Sequence, residues 1–182
     1  MSKIVIIGAG AMGSAFALPC LDNNHDINIV GTHLENDFID QLNKNNNLHP
    51  GLNTKIPKEI KIHKFEKYDD LMKSSVDLIV LGISSKGIEW VADQLSRIYK
   101  NGKIPNLLML TKGLSIHKNQ YELLVDKLER LLKDRKIKKA DISAVGGPCL
   151  AAGLANRVHS SVVIANKDIK TAKKIADMLN TN

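Results

Sequence analysis

The segment KIVIIGAGAMG, residues 3–13, passes directly from an apolar run into glycines at positions 8, 10 and 13, and then into a stretch of helix-forming residues. That order predicts a buried strand, a tight turn and a helix that starts against the end of the strand. Gly8 permits the bend, Gly10 admits close approach of another group to the backbone, and Gly13 lets the helix lie against the sheet. Unpaired N–H groups at the start of such a helix, with the positive end of its dipole, favour an anion. A second apolar run, INIVG at 27–31, completes a strand–helix–strand unit, and the combination points to a dinucleotide pyrophosphate. A glycine-rich turn that holds no ligand is the plainer alternative.

The alternation continues along the chain. Further apolar runs fall at 76–83 (VDLIVLGI), 104–110 (IPNLLML), 142–146 (ISAVG) and 160–165 (SSVVIA). Between the runs lie stretches of helical character at 11–23, 35–45, 66–74, 86–99, 119–134, 149–157 and 168–179. Strands alternating with helices require crossovers, so the expected fold is α/β: a doubly wound, mainly parallel sheet with helices on both faces. Runs such as LIVLGI lack polar alternation, as strands buried on both faces do. The stretch 43–63, rich in asparagine and containing Pro50, Gly51 and Pro57, reads as a long surface loop leading into a short strand.

Composition narrows the setting. With 182 residues, 43% apolar and 25% charged, the chain suits one large domain. Two cysteines, Cys20 and Cys149, make no disulfide framework, and a reducing cytoplasm is expected. No apolar run approaches the roughly 20 residues of a membrane-spanning helix, and the N-terminus has the pattern of a strand, not of a secretion leader. The net charge of +7 suits an anionic partner. Much of the excess lies in DKLERLLKDRKIKKAD, 126–141, where charges alternate with leucines as on a solvated helix face and no aromatics are interleaved. A nucleic-acid partner is therefore not expected.

At the end of the second strand an acidic residue would hold the adenosine ribose hydroxyls and select NAD. The chain has Gly31, Thr32 and His33 there, with Glu35 only later. A threonine hydroxyl and an imidazole do not repel a 2′-phosphate, so NADP is permitted and NAD is not excluded; either residue could equally cap a loop. LLMLTKGLS, 107–115, ends an apolar run on Lys112 and Gly113. Ligands of open parallel sheets bind outside the carboxyl ends of the strands, so a cation there can bind an anionic substrate or stabilise an oxygen that gains charge. The plain alternative is a solvated lysine at a strand end. Cys149 follows Gly147-Pro148 at the expected start of a helix, but no partner histidine is near it in sequence, and it is not read as a nucleophile. His49, His117 and His159 read as surface or loop residues, and no metal-ligand spacing is present.

With VGGPCLAAGLANRVHSSVVIA at 145–165 added to GAGAMG, LHPG at 48–51, GISS at 82–85 and TKG at 111–113, the chain resembles the N-terminal half of NAD(P)-dependent glycerol-3-phosphate dehydrogenases, archaeal members above all. The resemblance covers essentially the whole chain. It implies a single Rossmann-type NAD(P)-binding domain over 1–182, with Ala11 and Met12 touching the cofactor and Ser85 beside the nicotinamide pocket. It further implies that Lys112 contacts cofactor and substrate, and that Gly147, Cys149 and Ala151 line the same pocket. The implied reaction interconverts dihydroxyacetone phosphate and glycerol 3-phosphate by hydride transfer, supplying glycerophospholipid synthesis. In such enzymes a second, helical domain carries the general acid/base lysine and the phosphate clamp. That domain is not among these 182 residues, so the chain alone is expected to bind dinucleotide and to turn over little or no substrate.

Departures from the family pattern are Ser84 for proline, Met12 for an aromatic, Thr32 and His33 near an expected arginine, and Gly153 for glutamate. Ketopantoate reductases share GAGAMG, but their Gln-Asn-Gly signature is missing. A free-standing dinucleotide sensor would not need the TKG and Gly-Pro segments.

Overall fold

The computed structural model describes residues 1–100, 102–137 and 139–181. In chain order the elements are β1 (Lys3–Ile7), α1 (Ala11–Asp22), β2 (Asp26–Val30), α2 (Asn36–Lys44), β3 (Leu48–His49), β4 (Thr54–Lys55), β5 (Lys61–His63) and α3 (Tyr68–Lys73). They continue with β6 (Leu78–Leu81), α4 (Ile88–Tyr99), β7 (Asn106–Met109), β8 (Leu114–His117), β9 (Gln120–Leu123), α5 (Leu124–Asp134), β10 (Ile142–Gly146), α6 (Ala151–Ala155), β11 (Val163–Ala165) and α7 (Ile169–Leu179).

Seven of the strands form one sheet in the order β11-β10-β7-β6-β1-β2-β5. All neighbours are parallel except β11, which runs antiparallel to β10. The period of two along each strand divides the core. Ile4 and Ile6 of β1, with Ile27, Ile29, Leu78 and Val80, face the side covered by α1, α6 and α7. Val5 and Ile7, with Val30, Ile79, Leu81 and Leu107, face α3, α4 and α5. Both faces are buried, which is why these strands read as unbroken apolar runs.

The helices follow from their own patterns. In α5, Leu124, Leu128 and Leu132 recur every fourth residue and are buried, while the intervening charges point away. Replacing Leu128 by Ala would cost about 2–5 kcal/mol. Within the charged segment 126–141, Lys138 lies outside the described residues. The start of α7 is capped by Asp168, whose carboxylate accepts the Lys170 N–H at 3.0 Å.

Three expectations are corrected. The helix expected from 119 begins at Leu124, because residues 114–123 form the hairpin β8–β9. Its two-residue loop, Lys118-Asn119, has φ of 49° and 63°, the doubly left-handed geometry that joins tightly twisted strands. The stretch 43–63 is not merely a surface loop: Leu52, Ile56 and Ile60 enter the core, and β3 pairs antiparallel with β4 to bring them there. His49, in the same stretch, is 2% exposed rather than on the surface, since the ladder folds it beneath the turn after β1.

The hairpin has an unusual polarity. Leu114 pairs with Leu123 and Ile116 with Tyr121, and these four side chains are each more than half exposed. On the opposite face Ser115 donates to Glu122 at 3.0 Å, and Arg130 of α5 donates to the same carboxylate at 2.7 Å. The polar face is thus tied down and the apolar face is in water. Among the described residues no helix is long and apolar enough to cross a membrane.

Candidate functional site

The sheet order reverses between β1 and β6: from β1 the chain builds outward through β2 to β5, then returns to lay β6, β7 and β10 on the other side. The crevice at the carboxyl ends of β1 and β6 is where an open α/β sheet takes ligands. Here three glycines interlock. A Cβ on Gly8, which has φ +106°, would stand 2.7 Å from the Gly82 carbonyl oxygen. A Cβ on Gly13 would stand 2.3 Å from the Gly8 oxygen, and one on Gly82 would stand 2.9 Å from Gly13 Cα. Gly82, first residue of the GISS segment, joins this contact without belonging to the glycine turn; its sequence signal is a glycine directly after an apolar strand.

Gly10 is different in kind. Among the described residues, and apart from its chain neighbours, the only atom within 4 Å of a Cβ built there is Glu35 Oε1, at 3.9 Å. No neighbour in the fold demands a glycine, so Gly10 keeps open a cradle in front of the first turn of α1. Gly10 caps that helix with extended backbone, and Ser14 N–H makes the first helical bond to its carbonyl at 2.9 Å. The N–H groups of Ala11, Met12 and Gly13 precede that bond and have no acceptor within the helix. An open cradle beside aligned N–H donors fits the pyrophosphate of a dinucleotide.

The peptide at Ala9 is held from both sides. Its carbonyl accepts from Ser14 Oγ at 2.9 Å and from His49 Nε2 at 3.2 Å. A carbonyl can only accept, so the proton of neutral His49 sits on Nε2, and Nδ1 is buried with no partner among the described residues. Burial holds the His49 imidazole below its usual pKa of 6.5. The Ala9 N–H donates to Glu35 Oε1 at 3.1 Å, and the other oxygen of Glu35 accepts the Thr32 N–H at 2.7 Å. A carboxylate therefore does stand at the end of β2, folded back from a position two residues beyond His33. The bond to Thr32 closes the turn between β2 and α2, in which the Glu35 N–H also donates to the Thr32 carbonyl at 3.0 Å, whereas the bond to Ala9 crosses to the glycine turn.

His33 is exposed and lies against Trp90 of α4, ring centroids 5.2 Å apart, with Phe65 behind both. The Thr32 side chain is half-buried beside it.

The ends of β6, β7 and β10 are stitched together. Thr111 Oγ1 donates to the Ile83 carbonyl, and Lys112 Nζ donates to the Gly147 carbonyl. Lys112 is exposed at the carboxyl edge of the sheet beyond β7. Gly147 has φ +97°, and a Cβ there would stand 3.3 Å from the Ser161 oxygen. Ser85 is exposed in a single 3-10 turn, Ser85–Gly87, at the end of β6. Cys149 is a half-buried free thiol, and Ala151 opens α6, which packs on α1. Cys20 is buried within α1, which pushes its thiol up to about 12. His117 is half-buried on the hairpin and His159 is exposed.

The model of the NAD-dependent glycerol-3-phosphate dehydrogenase N-terminus matches residues 3–172. The chain belongs to this family. Among curated relatives, the NADP(+)-dependent glycerol-3-phosphate dehydrogenase of Archaeoglobus fulgidus is 27% identical over 178 residues, which are 98% of this chain and 50% of the relative. The glycerol-3-phosphate dehydrogenase [NAD(P)+] of Oceanobacillus iheyensis is 26% identical over 184 residues, 100% of this chain and 49% of the relative. The chain spans about half the length of these curated relatives. Among solved structures, glycerol-3-phosphate dehydrogenase from Coxiella burnetii superposes with a TM-score of 0.79 at 17% identity, covering 100% of this chain and 51% of that one. The Plasmodium falciparum enzyme gives 0.79 at 20% identity, covering 99% and 50%. These likenesses show the Rossmann-type fold. In the glycerol-3-phosphate dehydrogenase family, then, this chain presents its glycine turn, TKG segment and Gly-Pro segment at the ends of β1, β7 and β10, along one edge of the sheet.

Proposed function

We propose that the chain is the cofactor-binding half of an NAD(P)-dependent glycerol-3-phosphate dehydrogenase, which interconverts dihydroxyacetone phosphate and sn-glycerol 3-phosphate. The observation that carries this reading is the cradle at Gly10, open beside three glycines locked together by backbone contact. In this reading Gly8 and Gly13 shape the turn, and the backbone at Gly10, Ala11 and Met12 receives the pyrophosphate. Thr32 and His33 border the adenosine end, and Ser85 and Ala151 border the nicotinamide end. When bound, the dinucleotide supplies or accepts the hydride at its nicotinamide ring.

The chain's own contribution to the chemistry is positional and electrostatic. Lys112 has three N–H donors, of which one is engaged by the Gly147 carbonyl. The others remain to bind the anionic substrate and to stabilise the oxygen that gains charge as the ketone is reduced. Gly147 and Cys149 line the substrate side of the same pocket.

The remaining work belongs to a second, helical domain, so that residues 1–182 form one domain of a larger active unit. The half-length match to the relatives supports this, as does the exposed apolar face of the hairpin directly after Lys112-Gly113. A proton donor and a phosphate clamp in that domain complete catalysis; a positioned donor is worth about 10² to 10⁴ in rate. Titrating dihydroxyacetone phosphate into the NADH-saturated chain tests the reading. Binding that depends on cofactor supports it, and binding of cofactor alone favours a sensor module. Robust turnover by the 182-residue chain would contradict the need for a second domain.

A further inference from the structure

We infer that His49 is a positioning residue of the pyrophosphate turn and takes up a proton from solvent when a dinucleotide binds, so that binding tightens under mildly acid conditions. This rests on the dinucleotide reading of the Gly10 cradle. Gly10 has no side chain to restrict its backbone, so the cradle keeps its shape only if the peptide before it is held. The Ala9 carbonyl accepts from Ser14 Oγ at 2.9 Å and from His49 Nε2 at 3.2 Å, which occupies both of its lone pairs. Ser14 belongs to α1 itself, whereas His49 ties the turn to the ladder β3–β4. The ring also lies beside the first turn of α1. A Cβ on Gly51 would stand 3.7 Å from His49 Nδ1 and 3.9 Å from Ala11 Cβ, so the imidazole and the first residue of α1 meet where Gly51 leaves no side chain.

In the free protein burial favours the neutral ring, against which Phe38 of α2 packs edge-on with centroids 5.2 Å apart. Among the described residues the charge that bears on the ring is that of Glu35. Asp37 and Lys44 of α2 and Lys55 of β4 are exposed, and Asp40 is paired with Lys64 at 2.7 Å. A pyrophosphate at the start of α1 brings negative charge to the same place and favours the imidazolium. Glu35 acts in that direction too, but it is present with and without the dinucleotide and adds nothing to the difference. The imidazolium keeps its Nε2 donor, so the bond to Ala9 survives protonation. The new N–H on Nδ1 has no acceptor among the described residues, a cost that the charge of the dinucleotide offsets. The folded-state pKa of His49 therefore rises on binding, and affinity grows as the pH falls through the bound-state value.

A histidine that only ties a loop to the turn would not change its protonation on binding, so the quantity to read is the number of protons taken up per dinucleotide. Calorimetric titration of the 182-residue chain with NAD+ and with NADP+ at about pH 6, in buffers of unlike protonation enthalpy, gives that number. The 2′-phosphate of NADP+ titrates near the same pH, and subtracting the value for His49→Gln removes its contribution. Wild type takes up more protons than His49→Gln and binds NAD+ about three- to tenfold more tightly at pH 5.5 than at pH 7.5. The glutamine amide still donates to Ala9, so His49→Gln keeps the pH 7.5 affinity within about threefold, while His49→Leu weakens it by about tenfold. The His49 Cε1–H resonance of wild type gives a reading that needs no variant: its titration midpoint moves up when NAD+ or NADP+ is bound. Equal uptake by wild type and His49→Gln, an unmoved midpoint, or uptake that disappears instead in His33→Asn overturns the proton linkage. A folded His49→Leu that binds as tightly as wild type overturns the positioning role. Failure of folded wild type to bind either dinucleotide overturns the reading of the cradle itself, and this inference with it.

Discussion

The Gly13 Cα and the Gly8 carbonyl are so close that a Cβ on Gly13 would lie 2.3 Å from the Gly8 oxygen. The clash is with backbone, which cannot swing aside, so Gly13→Ala is expected to destabilise the fold by about 1–3 kcal/mol or more. Gly10→Ala meets nothing closer than 3.9 Å and should change stability by less than about 1 kcal/mol. Its effect should fall on dinucleotide affinity, because the new methyl occupies the cradle. Urea unfolding and calorimetric titration of the two variants check this contrast.

His49 makes stability depend on pH. Burial depresses its pKa in the folded state below the ordinary 6.5, so between the two values the unfolded chain binds the extra proton. The contribution of neutral His49 is fully present above about pH 6.5 and is lost as the pH falls through the folded-state value. His63, also depressed mainly by burial, acts in the same direction. Urea midpoints should fall between pH 7.5 and 5.5, and His49→Gln should fall less over that interval than wild type.

Lys112 is exposed and, among the described residues, its side chain bonds to the Gly147 carbonyl alone, so Lys112→Met should alter stability by no more than about 0.5 kcal/mol. Binding of dihydroxyacetone phosphate to the NADH complex should weaken by about tenfold or more, since a charge-assisted bond to an anion is lost. Equal calorimetric affinities for the two proteins would remove Lys112 from the substrate site.

The outer face of the hairpin should make the chain self-associate. Ile116→Thr with Tyr121→Thr keeps strand-forming residues while removing two of the four exposed apolar side chains. Sedimentation should show less concentration-dependent association for the double variant, at an unchanged melting temperature.

Most of the sheet was legible because its strands are buried on both faces and followed by amphipathic helices. ISAVG maps onto β10 residue for residue, and the run KIVIIG onto β1 except for Gly8, which lies in the turn. The antiparallel direction of β11 was not legible, since pairing direction leaves no trace in three apolar residues. The hairpin escaped because the leucine period of α5 extends backward through Leu123, masking the alternation of Leu114, Ile116, Tyr121 and the opposing polar residues. At the site, the glycine turn was readable from spacing alone. Glu35 and His49 were not, because each reaches Ala9 from a distant segment, 26 and 40 residues away in sequence, through contacts that exist only once the sheet has formed.

The central claim is that the turn at Gly8–Gly13 holds a dinucleotide. Isothermal titration of the folded 182-residue chain with NADH and, separately, with NADPH tests it most directly. Saturable binding at one site per chain, abolished by Gly10→Val with little loss of melting temperature, is the predicted result. Absence of saturable heat from wild type with both cofactors, or binding that Gly10→Val leaves intact, would contradict it.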